Sequence, residues 1–139
     1  MGFDLQISRG VELGRTVTID LAKDKLRNLL VIGMGGSAIG GDLLRSYLSS
    51  PLKMPLFVNR NYEIPHFAGP GTLAFVVIYS GNTEETQCAF QSALKAGCTV
   101  VLVTSGGWLA TEGIRYNLPL ILVPPGLPPR AALGYLFFP

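Results

Sequence analysis

Short, wholly apolar runs alternate along the chain with segments in which apolar residues recur at helical spacing. The apolar runs predict five strands, at Leu29–Ile32, Pro55–Val58, Leu73–Ile78, Thr99–Val103 and Leu118–Val123. The helical spacing predicts helices at Ala38–Leu48, Thr83–Ala96, Leu109–Tyr116 and Arg130–Phe138. Gly97, directly after the second of these helices, fits the left-handed residue that commonly ends a helix.

This alternation of strands and helices predicts the fold class. Strands that are apolar along their whole length are buried on both faces, as they are in parallel sheets covered by helices. A chain of 139 residues has the length of one domain. We therefore expect a single α/β domain, residues 1–139, with a doubly wound five-stranded parallel sheet flanked by helices.

Composition excludes several classes of protein. Hydrophobic residues make up 48% of the chain and charged residues only 14%, which excludes an intrinsically disordered protein and suggests that a partner covers part of the surface. The formal net charge of +2 gives no support for binding to nucleic acid or to an anionic membrane. The apolar stretch Leu133–Pro139 also favours a partner. Either the chain forms a homodimer through it, or it docks against a second domain of a longer protein.

The amino terminus lacks a signal-peptide pattern, and prolines and glycines interrupt the uncharged stretch Ile64–Thr83, so we expect no membrane span. Cys88 and Cys98 form no metal-binding or disulfide pattern and predict two reduced thiols in a cytoplasmic protein. His66 is the only histidine. One histidine in a proline- and glycine-rich loop predicts a surface or packing role rather than a metal site.

Candidate chemistry lies in two loops rich in glycine and hydroxyl groups. The first, Gly33–Gly41, follows the first predicted strand and opens a helix, and it contains Gly35, Gly36 and Ser37. Glycines let backbone N–H groups approach a ligand closely, and a helix amino terminus favours an anion. The second, Ser80–Thr86, follows the third predicted strand with the same kinds of group.

The predicted topology brings these two loops together. In the common strand order 2-1-3-4-5, strands one and three are neighbours, and ligands bind at the crevice between their carboxyl ends. Both loops then face one anion, most simply a phosphate. They supply Gly35, Gly36, Ser37, Ser80, Asn82 and Thr83 as phosphate-binding residues but no Walker lysine, which disfavours a nucleoside triphosphate.

Two other interpretations of these loops stay open. Ser37 can simply cap its helix, and Asn82 with Glu85 fits an N-cap and capping box. The spacing of Gly33, Gly35 and Ala38 also fits the permissive dinucleotide pattern. The second strand then ends in Asn59-Arg60, which suits the 2′-phosphate of NADP better than the ribose of NAD but leaves the second loop unexplained.

Four motifs resemble those of the sugar isomerase (SIS) domain, and their combination is similar to the amino-terminal half of the bifunctional phosphoglucose/phosphomannose isomerases. They are Gly33-Met34-Gly35-Gly36-Ser37, Tyr79-Ser80-Gly81-Asn82-Thr83-Glu84-Glu85-Thr86, Ser105-Gly106-Gly107 and Pro129-Arg130-Ala131-Ala132-Leu133-Gly134. The resemblance implies a flavodoxin-like SIS fold and a ligand of the fructose 6-phosphate type. It implies that the phosphate is held by Ser37, Ser80 and Thr83, and that Arg130 stabilises the enediolate.

The resemblance also implies interconversion of glucose 6-phosphate or mannose 6-phosphate with fructose 6-phosphate, without metal or cofactor. The base, the ring-opening histidine and a lysine of that family belong to a second SIS domain, so we expect this chain alone to be inactive. Ile78 stands where the family usually has a serine, which implies one phosphate hydrogen bond fewer. A non-catalytic sugar-phosphate sensor is the alternative function, because SIS domains also serve regulators, but Arg130 favours an isomerase.

Overall fold

The computed structural model describes residues 8, 11–12, 15, 23–48, 53–79 and 84–125. Within these residues the chain forms five strands: β1 (Asn28–Ile32), β2 (Leu56–Asn59), β3 (Thr72–Ile78), β4 (Thr99–Thr104) and β5 (Leu120–Leu122). Three α-helices connect them: α1 (Gly36–Leu48), α2 (Glu84–Lys95) and α3 (Gly107–Arg115). All eight elements were predicted from the sequence, with bounds that differ by at most two residues. The predicted helix Arg130–Phe138 and the apolar stretch that overlaps it lie outside the described residues.

The strands form one sheet in the order β2-β1-β3-β4-β5, and every neighbouring pair is parallel. This confirms the predicted fold class and strand order. Val31 of the central strand β1 pairs with Val58 on one side and with Phe75 on the other. The carboxyl ends of β1 and β3 are therefore adjacent, and the chain leaves them in opposite directions along the sheet, which creates the crevice at this edge.

Helices cover both faces of the sheet because successive residues of each strand point to opposite sides. On one face, Ala38 of α1 joins a buried cluster with Val31, Val58 and Val77. On the other face, Phe90 of α2 and Leu109 of α3 pack in a second cluster on inward-facing residues of β1, β3 and β4. Among the described residues, no helix has the length and apolar character needed to cross a membrane.

Helix α1 approaches the sheet closely at a glycine. A Cβ atom on Gly41 would lie 2.8 Å from Cγ1 of Val31 and 3.2 Å from Cγ2 of Val58. Real Cβ atoms essentially never show the shorter separation, so any larger residue would push α1 away from β1 and β2. Gly41 therefore sets the distance between this helix and the sheet.

Helix ends explain where the observed bounds differ from the predicted ones. Gly97 ends α2 with φ +84°, and its N–H donates to the carbonyl of Leu94 while that of Cys98 donates to Ala93, as predicted for a left-handed cap. After α3, the N–H of Leu118 donates to Gly113. Leu118 thus belongs to the end of the helix, and Pro119 has no N–H to give to a ladder, so β5 begins two residues later than predicted.

Candidate functional site

The loop between β1 and α1 has the geometry expected of an anion-binding turn. Gly35 has φ +52°, a left-handed conformation that favours glycine, and its carbonyl accepts the N–H of Ala38 at 3.1 Å and of Ile39 at 3.3 Å. A Cβ atom on Gly35 would meet nothing within 4 Å. The helix begins here, so the N–H groups of Gly36 and Ser37 have no acceptor within the helix and lie at the carboxyl edge of the sheet.

The structure locates only part of the predicted phosphate site. Gly35 lies in the turn, and Gly36 and Ser37 are the first two residues of α1, beside the end of β3. The other predicted site residues lie outside the described residues: Ser80, Asn82, Thr83 and Arg130. The two elements on either side of the second loop are described: β3 ends at Ile78 and α2 begins at Glu84.

Tyr79 holds the start of the second loop in place. Its carbonyl accepts the backbone N–H of Ser105 at 3.0 Å and also the hydroxyl of that serine. Its own hydroxyl donates to the carbonyl of Pro124 at 2.7 Å. The residue before Ser80 is therefore tied to the ends of β4 and β5. Sequence reasoning quoted Tyr79 as part of a motif without giving it this role, although a tyrosine at the end of a buried strand needs a partner for its hydroxyl.

A third glycine turn follows β4 at the same edge. Gly106 and Gly107 have φ +149° and +69°, and α3 begins at Gly107. Thr104 donates from its hydroxyl to the carbonyl of Gly106 at 2.9 Å. A Cβ atom on Gly106 would also meet nothing within 4 Å. Two described turns that open helices, after β1 and after β4, thus flank the second loop.

Among the described residues, acidic side chains begin α2 at this edge of the sheet. Glu84 and Glu85 stand in the first turn of α2, where the helix dipole stabilises carboxylates, as predicted. Their negative charges, that of Glu84 first, raise the pKa of the exposed Tyr62 phenol. Arg60 at the end of β2 forms a hydrogen-bonded ion pair with Asp42 of α1. Within the described part of the chain, no three potential metal ligands come together.

No protein-family model matches the chain, but curated proteins do. It is 40% identical, over 96% of its length, to the bifunctional phosphoglucose/phosphomannose isomerase of Caldicellulosiruptor bescii, and 43% identical over 81% to that of Thermoplasma acidophilum. The chain belongs to the bifunctional phosphoglucose/phosphomannose isomerase family. It spans 40% and 34% of the length of these two relatives. A D-glucosamine-6-phosphate 4-epimerase of Sulfolobus acidocaldarius is also similar, with 34% identity over a match that covers 76% of this chain and 33% of the length of the epimerase.

Several solved structures share the fold of this chain. Tagatose-6-phosphate ketose/aldose isomerase from Escherichia coli superposes with a TM-score of 0.61 at 19% identity, covering 98% of this chain and 40% of its own. The sugar isomerase domain of an RpiR transcription factor from Sphaerobacter thermophilus gives 0.55 at 18% identity, covering 96% and 75%. At these identities the likeness shows the fold alone, which confirms the predicted flavodoxin-like SIS architecture.

The family resemblance marks Ile78 as a departure, and the structure shows what this side chain does. Ile78 is only 2% exposed and belongs to the same buried cluster as Ala89 and Phe90 of α2. Its side chain thus packs beneath α2. The expected loss of one phosphate hydrogen bond at this position stays a prediction.

Three further residues have defined surroundings. Trp108, in the first turn of α3, packs edge-to-face on Phe90, with ring centroids 5.6 Å apart. His66 is exposed in its loop. Arg60 is paired with the carboxylate of Asp42. This pairing offsets part of the positive charge that the alternative NADP site would use to bind the 2′-phosphate.

Proposed function

We propose that this chain is the sugar-phosphate-binding SIS domain of an aldose–ketose isomerase that interconverts glucose 6-phosphate or mannose 6-phosphate with fructose 6-phosphate. One observation carries the proposal: the open turn at Gly35 starts a helix at the carboxyl end of β1, directly beside the end of β3. Backbone N–H groups without helical acceptors then face the place where ligands bind in this class of sheet. The isomerase relatives support the choice of a sugar phosphate as the anion.

The proposed roles divide between the phosphate and the reacting carbons. The phosphate is bound by Gly35, Gly36, Ser37, Ser80, Asn82 and Thr83. Arg130 lies beside C1 and C2 and stabilises the negative charge of the enediolate, because a fixed guanidinium is most effective where charge develops in the transition state. Moving a proton between C1 and C2 also requires a general base.

Glu84 and Glu85 do not supply that base in this proposal. They stand in the first turn of α2, where they stabilise the helix amino terminus. The family resemblance places the base, the ring-opening histidine and a lysine in a second SIS domain. We therefore propose that residues 1–139 are one SIS domain of a two-domain protein and that these residues alone bind the sugar phosphate without isomerising it.

The proposed partner is a second SIS domain or a second copy of this chain, and the proposed location is the cytoplasm. The free thiols of Cys88 and Cys98 are consistent with a reducing compartment. A second candidate function is a sugar-phosphate sensor, favoured by the fold that the chain shares with the SIS domain of a transcription factor. The relatives named as isomerases match at about twice that identity, which favours the isomerase.

Calorimetric titration of the chain with fructose 6-phosphate, fructose and inorganic phosphate tests the proposal. We expect saturable binding of fructose 6-phosphate, weaker binding of phosphate and none of fructose. A parallel NMR experiment in D₂O follows the proton on C2 of glucose 6-phosphate, which isomerisation exchanges for deuterium. Retention of that proton is expected. Failure to bind any phosphate-bearing ligand would refute the site, and rapid exchange would refute the assignment of the base to another domain.

A further inference from the structure

Tyr79 lies where the chain leaves β1, β3 and β5. It is the first residue after β3, directly before Ser80, and only 4% of its surface is exposed. It belongs to the same buried cluster as Ala38, which follows Ser37 in α1, and Val123, which follows β5. A side chain in this position can affect both the loops that are proposed to bind phosphate and the segment after β5.

The backbone and the side chain of Tyr79 make different contacts. Its carbonyl accepts the N–H of Ser105 at 3.0 Å, which fixes the chain just before Ser80. Its hydroxyl donates to the carbonyl of Pro124 at 2.7 Å. The N–H of Val123 donates to the last carbonyl of β4 at 2.9 Å, so the segment after β5 starts from a fixed point. The backbone of Tyr79 thus holds the start of the second loop, and its hydroxyl holds the start of the segment that leads to Arg130.

The sequence between Pro124 and Arg130 makes this segment stiff. Arg130 itself lies outside the described residues, but Pro125, Pro128 and Pro129 stand between the two. Each proline fixes its own φ angle and restricts the residue before it. The segment therefore has few conformations available to it, and a shift at Pro124 is carried toward Arg130 instead of being absorbed on the way.

We propose that Tyr79 is a positioning residue that sets the place of Arg130 relative to the bound phosphate. This proposal rests on the proposed function, which assigns the phosphate to the glycine loops and the enediolate to Arg130. One residue then joins the loop that binds one end of the substrate to the segment that carries the group for the other end. Such a link matters for catalysis because both ends of the same molecule must be held in one geometry.

Two ligands separate the two ends of the site. Inorganic phosphate fills only the place between the glycine loops. The sugar acid 5-phosphoarabinonate carries a phosphate at one end and, where the substrate has C1 and C2, a carboxylate with the negative charge of an enediolate. Its affinity depends on both ends, so the ratio of its dissociation constant to that of phosphate reports the placement of Arg130.

The test is a calorimetric titration of the wild-type chain and of the Tyr79→Phe variant with both ligands. Phenylalanine keeps the ring and the backbone carbonyl and removes only the hydroxyl that contacts Pro124. We expect the variant to bind the sugar acid roughly tenfold more weakly, as the loss of one well-placed hydrogen bond does, and to bind phosphate as the wild type does. In an Arg130→Ala background, Tyr79→Phe should have no further effect, because both changes act through the same group.

Ser105→Ala is the matched control. It removes a hydroxyl that donates to the carbonyl of Tyr79 and leaves the contact between Tyr79 and Pro124 in place. We expect this variant to keep the ratio of the two dissociation constants.

Pro125→Gly is a second, independent variant. Pro125 is exposed, so glycine there loosens the segment without disturbing the buried cluster around Tyr79. It should weaken binding of the sugar acid and leave binding of phosphate unchanged. It also decides the question if urea denaturation shows that Tyr79→Phe does not fold.

Several results would overturn the proposal and leave the proposed function intact. One is an unchanged ratio in Tyr79→Phe, or in Pro125→Gly where Tyr79→Phe does not fold. Others are equal weakening of both ligands in Tyr79→Phe, a further tenfold loss in the Arg130→Ala background, or a change of the ratio in Ser105→Ala as large as in Tyr79→Phe. If the wild type binds neither ligand, the proposed function itself fails.

Discussion

The backbone N–H of Gly33 donates to the carbonyl of Asn59 across 3.1 Å, one residue beyond the end of β1. This bond extends the β1–β2 ladder into the glycine loop and fixes where the loop starts. The ion pair between Asp42 and Arg60 joins α1 to the end of β2 on the other side of the same loop. The glycine loop, α1 and the end of β2 are therefore held together, and substitutions that shift α1 should affect binding.

Gly41→Ala is the first such substitution. Its Cβ would lie 2.8 Å from Val31, so we expect the free energy of unfolding to fall by about 1–3 kcal/mol, the usual cost of overpacking. The displaced helix also carries Gly36 and Ser37 away from the crevice, so affinity for fructose 6-phosphate should fall. Urea denaturation and calorimetry measure both effects.

Gly69→Ala is the matched control, because a Cβ there meets only the carbonyl of Ala96, at 3.8 Å. We expect that variant to keep both stability and affinity. Equal stability of the Gly41→Ala and Gly69→Ala variants would contradict the close contact between α1 and the sheet.

Replacing the two buried threonines Thr86 and Thr72 by valine should change the free energy of unfolding in different ways. Thr86 is 1% exposed, and within the described part of the chain its hydroxyl has no hydrogen-bond partner. Thr72 is also buried, but its hydroxyl donates to Asn28 at 2.6 Å and accepts the N–H of Gly69 at 3.0 Å. We expect Thr86→Val to leave the free energy of unfolding unchanged or higher, and Thr72→Val to lower it by about 1–3 kcal/mol.

Thermal and urea denaturation of the two variants decide the point. Both substitutions exchange a hydroxyl for a methyl group of similar size at a buried site, so the packing change is the same. A loss of stability in Thr86→Val as large as that in Thr72→Val would mean that the Thr86 hydroxyl is hydrogen-bonded in solution.

The Asp42–Arg60 pair predicts a pH dependence. The hydrogen bond from Arg60, together with the positive charge of that residue, lowers the pKa of the Asp42 carboxyl group below its ordinary value of 3.8. A lowered folded-state pKa contributes stability that is fully present above pH 3.8 and lost as the pH falls through the folded-state value. Both side chains are more than one third exposed, so the contribution is at most about 1 kcal/mol.

Asp42→Asn should therefore be slightly less stable than the wild type at pH 7, and the two should converge near pH 2. Asp24→Asn, at another exposed carboxylate, is the control and should follow the wild type at both values. A difference between Asp42→Asn and the wild type that persists at pH 2 would show that the effect is not electrostatic.

The fold followed from the sequence because its signals are local. Runs such as Leu73–Ile78 are apolar at every position, and Gly97 sits where a helix must end. The errors were also local, since Leu118 is apolar like the strand that follows but gives its N–H to α3. Pro119, which lacks an N–H and often follows the end of a helix, is the sequence signal that the predicted strand bounds did not use.

One part of the candidate site could be predicted because the chain itself brings the groups together. Gly35, Gly36 and Ser37 are consecutive, so a glycine turn before a helix could be recognised. The contacts of Tyr79 with Pro124 and Ser105 could not be predicted in this way, because only the folded chain brings these residues together. Asn59 was considered only for a dinucleotide, since its burial and its bond to Asn61 are properties of the folded chain.

The central claim is that the glycine loops at the ends of β1 and β3 bind the phosphate of a sugar phosphate. It is tested most directly by calorimetric titration of the wild type and of the Ser37→Ala, Ser80→Ala and Ser46→Ala variants with fructose 6-phosphate. Ser46 is exposed near the other end of α1 and serves as the control. We predict that Ser37→Ala and Ser80→Ala each weaken binding roughly tenfold, the worth of a hydrogen bond to a charged group, and that Ser46→Ala does not. Unchanged affinity in both Ser37→Ala and Ser80→Ala would contradict the claim.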